Sequence, residues 1–364
     1  MLIDIIAGAR PNFMKIAPII EAINTKQKEG ENIHYRLVHT GQHYDKKMSG
    51  DFFEQLGIPE PHINLQAGGG TQAEQTAAIM TRYEKVLTEQ RPDLVLVVGD
   101  VTSTMACSIT AKKMNNIKVA HVEAGIRSGD LTMPEEINRI VTDALADYFF
   151  TTSEQANTNL EKAGADKSQI FFVGNTMIDT LLKQMPRFSA PPLWNDLQLK
   201  ERNYIVMTLH RPANVDEEST LDELITKIIS AADGLPLVFP VHPRTAQKLN
   251  GASKSAANLH LTDPLNYLEF NYLVKHAKAV ITDSGGITEE TTVMGVPCMT
   301  LRNNTERPET CTLGTNELLG TDPSAISPAF EKLLGGKWKT GTIPPLWDGR
   351  AGERIVNHLL QLFN

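Results

Sequence analysis

The 364-residue chain has only three cysteines, Cys107, Cys298 and Cys311, odd in number and widely spaced. They form neither a disulfide framework nor a Cys-x-x-Cys metal knuckle, and so few fit a reducing compartment. Positive charge is also in deficit: 35 Lys and Arg face 43 Asp and Glu, a formal net charge of -8. A nucleic-acid binder usually carries the opposite surplus, to displace counterions from phosphates. No uncharged apolar stretch approaches the roughly 18 residues of a membrane span. The opening MLIDIIAGARPNF has no basic leader ahead of its apolar run. These absences point to a cytoplasmic protein without nucleic-acid or membrane partners. Low-complexity tracts are missing too, and 41% hydrophobic with 21% charged residues is the composition of an ordinary globular protein. No Gly-x-Gly-x-x-Gly follows an apolar run, so no hydride-transfer cofactor is expected. His39 and His43 lie near each other, but Thr40-Gly41 interrupts the helix that would align them and no carboxylate pattern completes a site, so no metal is expected.

What is present is a rhythm. Short apolar, β-branched runs (LIDIIA from Leu2, YRLVHT from Tyr35, LVLVVG from Leu94, VAHVE from Val119, YFFTT from Tyr148) alternate with helical patterns such as Ile16, Ile19, Ile20 and Ile23. Continuous hydrophobicity suits strands of a parallel sheet covered on both faces, and strict β and α alternation predicts a doubly wound α/β fold. The pattern breaks between Lys183 and Arg202, around Pro186, Pro191 and Pro192. It resumes with YIVMTL from Tyr204, LVFPV from Leu237, AVITD from Ala279 and CMTL from Cys298. At roughly 150 residues per domain, two Rossmann-like domains with a central cleft are expected. The first spans residues 1–180 and the second 181–350, with the last helix, about 351–364, a candidate to pack back on the first.

In such sheets ligands bind beyond the carboxyl ends of the strands, so the polar residues that follow each run are the candidates. After the first run come Gly8, Arg10 and Lys15, cations placed to meet phosphate at a helix N-terminus or simply surface charges near a loop. After the third comes Asp100, a cleft carboxylate or a helix N-cap. Glu123 ends the fourth with no obvious helix to cap. In MPEEINR, Glu135 and Arg139 are spaced for one helix face, as a functional pair or as a plain ion pair. The second half offers His210-Arg211 and His242-Arg244 at strand ends, and then Ser284-Gly285-Gly286 between a strand and a helix. That turn is a phosphate cradle, since small residues let backbone N–H groups face an anion in the field of a helix N-terminus. Glu289 and Glu290 lie about 100° apart on that helix, so one of them is expected to face the ligand. Arg307 adds a further cation.

Taken in order, GARPNFMKIAPI, HTGQHYD, VVGDVTST, HVEAGIRSGD, MPEEINR, VGNTMIDTL, LHRPANVD, PVHPRT, ITDSGGITEETTVMGVP and LRNNTERPET resemble the non-hydrolysing UDP-N-acetylglucosamine 2-epimerase family over nearly the whole chain. The resemblance implies a glycosyltransferase-B-like pair of domains, a homodimer, and conversion of UDP-GlcNAc to UDP-ManNAc through elimination of UDP to 2-acetamidoglucal. By position-wise match, Asp100, Glu123, Glu135, Arg139 and His210 take catalytic roles. Arg10, Lys15, His242, Ser284, Gly285, Gly286, Glu290 and Arg307 take UDP-binding roles, with Leu265 and Phe270 at the uracil. The chain departs from the family where several bacterial members bind an activating substrate molecule: it reads Gln42-His43-Tyr44-Asp45-Lys46-Lys47 and Ala67-Gly68-Gly69-Gly70. Rival readings on the same fold are a hydrolysing epimerase, an epimerase of a 2,3-diacetamido-glucuronate nucleotide, and a glycosyltransferase. A non-catalytic sugar-nucleotide sensor is a rival of another class, against which the three retained acids speak.

Overall fold

The apolar runs become parallel strands. The computed structural model describes residues 1–41, 57–241, 249 and 256–363. It divides into two units, Met1–Lys183 with Pro345–Asn364, and Gln184–Pro344. In the first unit the strands are β1 (Leu2–Ala7), β2 (His34–His39), β3 (Ile63–Asn64), β4 (Leu94–Val98), β5 (Lys118–Val122), β6 (Tyr148–Thr151) and β7 (Ile170–Phe172). Among the described residues they form one sheet in the order β3-β2-β1-β4-β5-β6-β7, every pair parallel. The second unit repeats the plan with β8 (Ile205–Thr208), β9 (Leu237–Pro240), β10 (Leu259–Thr262), β11 (Ala279–Thr282), β12 (Cys298–Thr300) and β13 (Asn316–Leu318), ordered β10-β9-β8-β11-β12-β13 and again parallel. In both sheets the order reverses beside the first strand, between β1 and β4 and between β8 and β11. Those reversal points are where doubly wound folds bind ligands.

Burial explains the continuous runs. Ile205, Met207, Leu237 and Phe239 enter one core cluster, while their neighbours Tyr204, Val206 and Val238 enter another on the opposite face. The strands not marked by a long apolar run, β3, β7, β10 and β13, are the four sheet edges. Edge strands pair on one side only, and all but β13 are half-buried throughout.

One local arrangement ties the first unit together. Pro18 lies inside the helix Arg10–Lys28 and has no N–H for the carbonyl of Met14. The Thr180 hydroxyl donates to that carbonyl at 2.6 Å instead. The helix Ala351–Phe363 packs against the same helix, its Gly352 set against the Pro18 backbone where a side chain would collide. Asp179, one residue from Thr180, caps the start of that last helix by accepting from the N–H groups of Ala351 at 3.1 Å and Gly352 at 2.7 Å. Gly174 is required where the returning chain passes: its φ is +93°, and a Cβ there would strike the Leu346 carbonyl. Among the described residues no helix is long and apolar enough to cross a membrane.

Candidate active site

At the β1/β4 reversal Asn12 staples the two strand ends together. Its Oδ1 accepts from the N–H groups of Gly8 and Ala9, at 3.1 and 2.8 Å, and its Nδ2 donates to the Val98 carbonyl at 3.1 Å. One turn on, the Lys15 ammonium reaches the Glu123 carboxylate at 2.5 Å, both side chains buried. This pair lies under Gly99, whose missing Cβ would sit 3.1 Å from Lys15 Nζ and 3.6 Å from Glu123 Oε2. Glu123 itself has a φ of +67°, a left-handed conformation that costs a bulky residue free energy and that surrounding contacts must enforce. The N–H groups of Glu123 and Ala124 both donate to the Phe150 carbonyl, at 2.9 and 3.2 Å, which fixes the turn.

Asp100 follows Gly99. It does not cap the next helix, Thr102–Lys113, whose N-cap position is Val101. Instead its carboxylate receives the Arg139 guanidinium, and its carbonyl accepts from Asn138 Nδ2 at 2.8 Å. Arg139 and Asn138 belong to the helix Pro134–Leu145, which turns a polar face inward. On that face the buried Glu136 takes Arg139 at 2.8 Å and the N–H groups of Ser128 and Gly129 at 2.9 Å each. Burial pushes the Glu136 carboxyl up, but these bonds outweigh it and hold the group below its ordinary range. Glu135 is exposed in the first turn.

At the β8/β11 reversal the hub is Asp283, fully buried. Its carboxylate accepts from the N–H groups of His210 and Arg211, from Asn214 Nδ2 at 3.0 Å, and from His210 Nδ1 at 2.7 Å. Burial opposes the charge, yet the His210 ring and Asn214 hold the carboxyl below its usual range. The His210 side chain is 61% exposed, so Asp283 orients a ring whose other nitrogen faces outward. Next comes the helix Gly285–Met294, with Ser284 at its N-cap and no cap bond from the Ser284 hydroxyl. Its first N–H groups have no partners within the helix. The place of a Gly285 Cβ lies 3.5 Å from one Arg307 nitrogen and 3.9 Å from one Arg302 nitrogen, so two guanidinium groups stand over this terminus. Arg302 is held by Glu306 through two bonds of 2.8 Å, and Arg307 by Glu289. A helix N-terminus flanked by two fixed guanidinium groups is a site for a polyanion. Glu290 is buried and accepts from the Tyr267 hydroxyl at 2.9 Å. Burial pushes its carboxyl up to about 7, with the Tyr267 bond opposing and Glu289 adding to the rise. Leu265 and Phe270 are half-buried against the Tyr204–Val238 core, at the entry to the helix Tyr267–His276 and in its first turns.

The family model described as UDP-N-acetylglucosamine 2-epimerase matches residues 25–360. The chain belongs to this family. It is 40% identical to a UDP-N-acetylglucosamine 2-epimerase of Methanocaldococcus jannaschii, with 99% of each chain covered. It is 36% identical to a UDP-2,3-diacetamido-2,3-dideoxy-D-glucuronate 2-epimerase of Pseudomonas aeruginosa, with 100% of each covered. Its fold is similar to the crystal structure of the Methanocaldococcus jannaschii UDP-GlcNAc 2-epimerase in complex with UDP-GlcNAc and UDP. That similarity has a TM-score of 0.87 at 39% identity and covers 99% of this chain and all of the other. Two parallel-sheet α/β units of the glycosyltransferase-B-like kind are therefore the family's architecture as well as this chain's.

The family motifs fall unevenly on the geometry. In the first unit Lys15, Asp100, Glu123 and Arg139 sit at or beside the ends of β1, β4 and β5, with Lys15 on Glu123 where phosphate is the sequence expectation. For Arg139, i, i+4 spacing points to Glu135, whereas Glu136 and Asp100 hold the guanidinium, because Glu136 is drawn inward by the Ser128-Gly129 turn. In the second unit Glu289 and Glu290 are both buried, although their angular separation suggests only one inward acid. The Arg10 side chain, His242, and the segment 42–56 with its departing pattern lie outside the described residues. Sequence reasoning gave no role to Asn12, Asp283 or Tyr267, and reached Arg302 only as part of the cation-bearing stretch LRNNTERPET. Asp283 was the most findable, as the polar end of AVITD facing the polar end of YIVMTL in any sheet that pairs them.

Proposed function

We propose that the protein interconverts UDP-GlcNAc and UDP-ManNAc by elimination and re-addition of UDP. A base removes the C2 proton, the C2–H electron pair becomes the C1=C2 double bond of 2-acetamidoglucal, and the C1–O bond breaks to release UDP. Proton return on the opposite face of C2 and attack of UDP at C1 complete the inversion. The observation that carries this reading is the pair of charge-compensated carboxylates, Asp100 on Arg139 and Glu123 on Lys15, at the ends of neighbouring strands. A carboxylate placed against the sugar can act as base, or can stabilise positive charge building at C1 as its bond to oxygen breaks. Glu135, exposed in the helix that carries Arg139, supplies a third acid, and Arg139 and His210 supply cations. The second unit binds UDP: the diphosphate takes the N–H groups at Ser284, Gly285 and Gly286 with Arg307, the ribose takes Glu290, and Leu265 and Phe270 serve the uracil. Arg10 and His242 complete the nucleotide contacts.

The test is UDP-GlcNAc in D2O without acceptor or added nucleotide cofactor. We expect UDP-ManNAc with deuterium at C2. Free ManNAc as the main product means hydrolysis, and an unexchanged C2 proton contradicts the mechanism. The relative acting on a diacetamido-glucuronate nucleotide makes that sugar the second substrate to try.

The working unit is proposed to be a homodimer. The helix Pro134–Leu145 buries Glu136, Asn138, Arg139, Thr142 and Asp143 yet exposes Ile137 by 48% and Ile140 by 40%, with Leu131, just before the helix, exposed by 67%. A helix with its polar side inward and apolar side outward needs a cover, and a second copy of the same face is the simplest. Light scattering is expected to give a dimer for the native chain and a monomer for Ile137→Asp/Ile140→Asp; a native monomer contradicts the proposal.

A further inference from the structure

The polar face of the helix Pro134–Leu145 carries one more buried group, Asp143. Its Oδ1 lies 2.6 Å from His121 Nδ1, and its Oδ2 accepts from Gly125 N at 3.1 Å and meets Arg127 at 2.6 Å. His121, on β5 and without any exposure, places its other nitrogen, Nε2, 2.9 Å from the Gly99 carbonyl. The result is a chain of bonds from the helix through Asp143 and His121 to the residue before Asp100. A second arm runs from Asp143 to Gly125, two residues past Glu123. The backbone beside each of the two carboxylates of the proposed chemistry thus bonds to the buried Asp143–His121 pair, at Gly99 and at Gly125.

The two atoms facing the His121 ring decide its protonation. A peptide carbonyl can only accept. The Asp143 Oδ2 is taken by the Arg127 guanidinium and the Gly125 N–H, both donors independent of His121, so the carboxyl is ionised and it too accepts. Neither neighbour supplies a proton, so both ring nitrogens must. We propose that His121 is a buried imidazolium which, braced by Asp143, acts as a positioning residue that sets Asp100 and Glu123 for catalysis. The strained φ of +67° at Glu123 is what such bracing has to maintain, since the turn on either side is pinned to Asp143 or to Phe150. The role in catalysis rests on the epimerase reading above, whereas the protonation of the ring does not.

Two measurements test it. In a nitrogen-15 NMR spectrum of the native protein at neutral pH, both His121 ring nitrogens are expected to carry protons. A ring with one bare nitrogen overturns the proposal. Kinetically, His121→Gln always turns one amide end the wrong way, its carbonyl toward Asp143 or toward Gly99. A misplaced Asp100 is expected to lower kcat about 100-fold. KM for UDP-GlcNAc is expected to stay within about threefold, because the nucleotide contacts lie elsewhere. Adding Asp143→Asn restores a donor for the Gln carbonyl, so the double variant is expected to recover about tenfold of the lost kcat despite removing a second native group. A native kcat in His121→Gln, equal losses in kcat and UDP affinity, or a double variant worse than the single overturns the positioning role. If the variants do not fold, the NMR result on the native protein decides. A native protein that exchanges no C2 proton overturns the epimerase reading, and the ring's protonation is still decided by the spectrum.

Discussion

The two units share one topology and use its reversal point for opposite electrostatic ends. In the first, the strand ends and the helix Pro134–Leu145 carry acids set against cations: Glu123 against Lys15, Asp100 and Glu136 sharing Arg139, and Asp143 against Arg127 and the His121 ring. In the second, the acids are supports. Asp283 orients His210, and Glu289 and Glu306 hold Arg307 and Arg302 over a helix N-terminus. Two carboxyls nearby, Glu290 and Glu309, are raised by burial to about 7. On the proposed function, the shared order of strands fixes where a ligand goes, and the residues placed there decide whether the unit works on protons or grips an anion.

The sharpest way to break this comparison is to remove charge from the acidic unit. Asp100→Asn, Glu123→Gln and Glu135→Gln are each expected to reduce turnover at least about 100-fold. Asp100→Asn is the cleanest of the three, because Arg139 keeps Glu136 as a partner. Glu123→Gln also leaves the Lys15 charge in a buried place, so a loss of stability of several kcal/mol is expected alongside. Turnover within a few-fold of native in all three would falsify their assignment.

A smaller effect comes from the anion-binding unit and from pH. The folded protein holds a proton on Glu290 up to about pH 7, well above the ordinary carboxylate range. Folded chains therefore bind more protons than unfolded ones across that window, and this group's contribution to stability is present at low pH and lost as pH rises through about 7. Glu290→Gln keeps an acceptor for the Tyr267 hydroxyl without the charge. Its melting temperature is expected to exceed the native one by about 2–4 °C near pH 8 and to match it near pH 5. An equal shift at both values shows that ionisation of Glu290 is not the cause.

Much of this was legible beforehand, and where it was not the reasons are physical. The strands covered on both faces advertise themselves as apolar runs; of the four edge strands only Ile170–Phe172 does, since an edge such as Asn316–Leu318 needs little apolar surface. That Asp100, Glu123, His210 and Ser284 lie just beyond strand ends could be read from position alone. Partners could not. Lys15 meets Glu123 and His121 meets Asp143 across separations of 108 and 22 residues, and nothing in local spacing distinguishes such a pairing from a surface charge. Helical spacing misled at Arg139 because i+3 and i+4 flank the same line, and only the Ser128-Gly129 turn selects Glu136 as the inward acid.

The division of labour is tested most directly by titrating UDP into Asp100→Asn and into Arg307→Gln, the latter still able to donate to Glu289. The account predicts that Asp100→Asn binds UDP as tightly as the native protein. Arg307→Gln is predicted to bind about 10–100-fold more weakly, the cost of one lost charge-assisted contact to phosphate. Native affinity in Arg307→Gln together with a comparable loss in Asp100→Asn would place the nucleotide on the acidic unit and contradict the account.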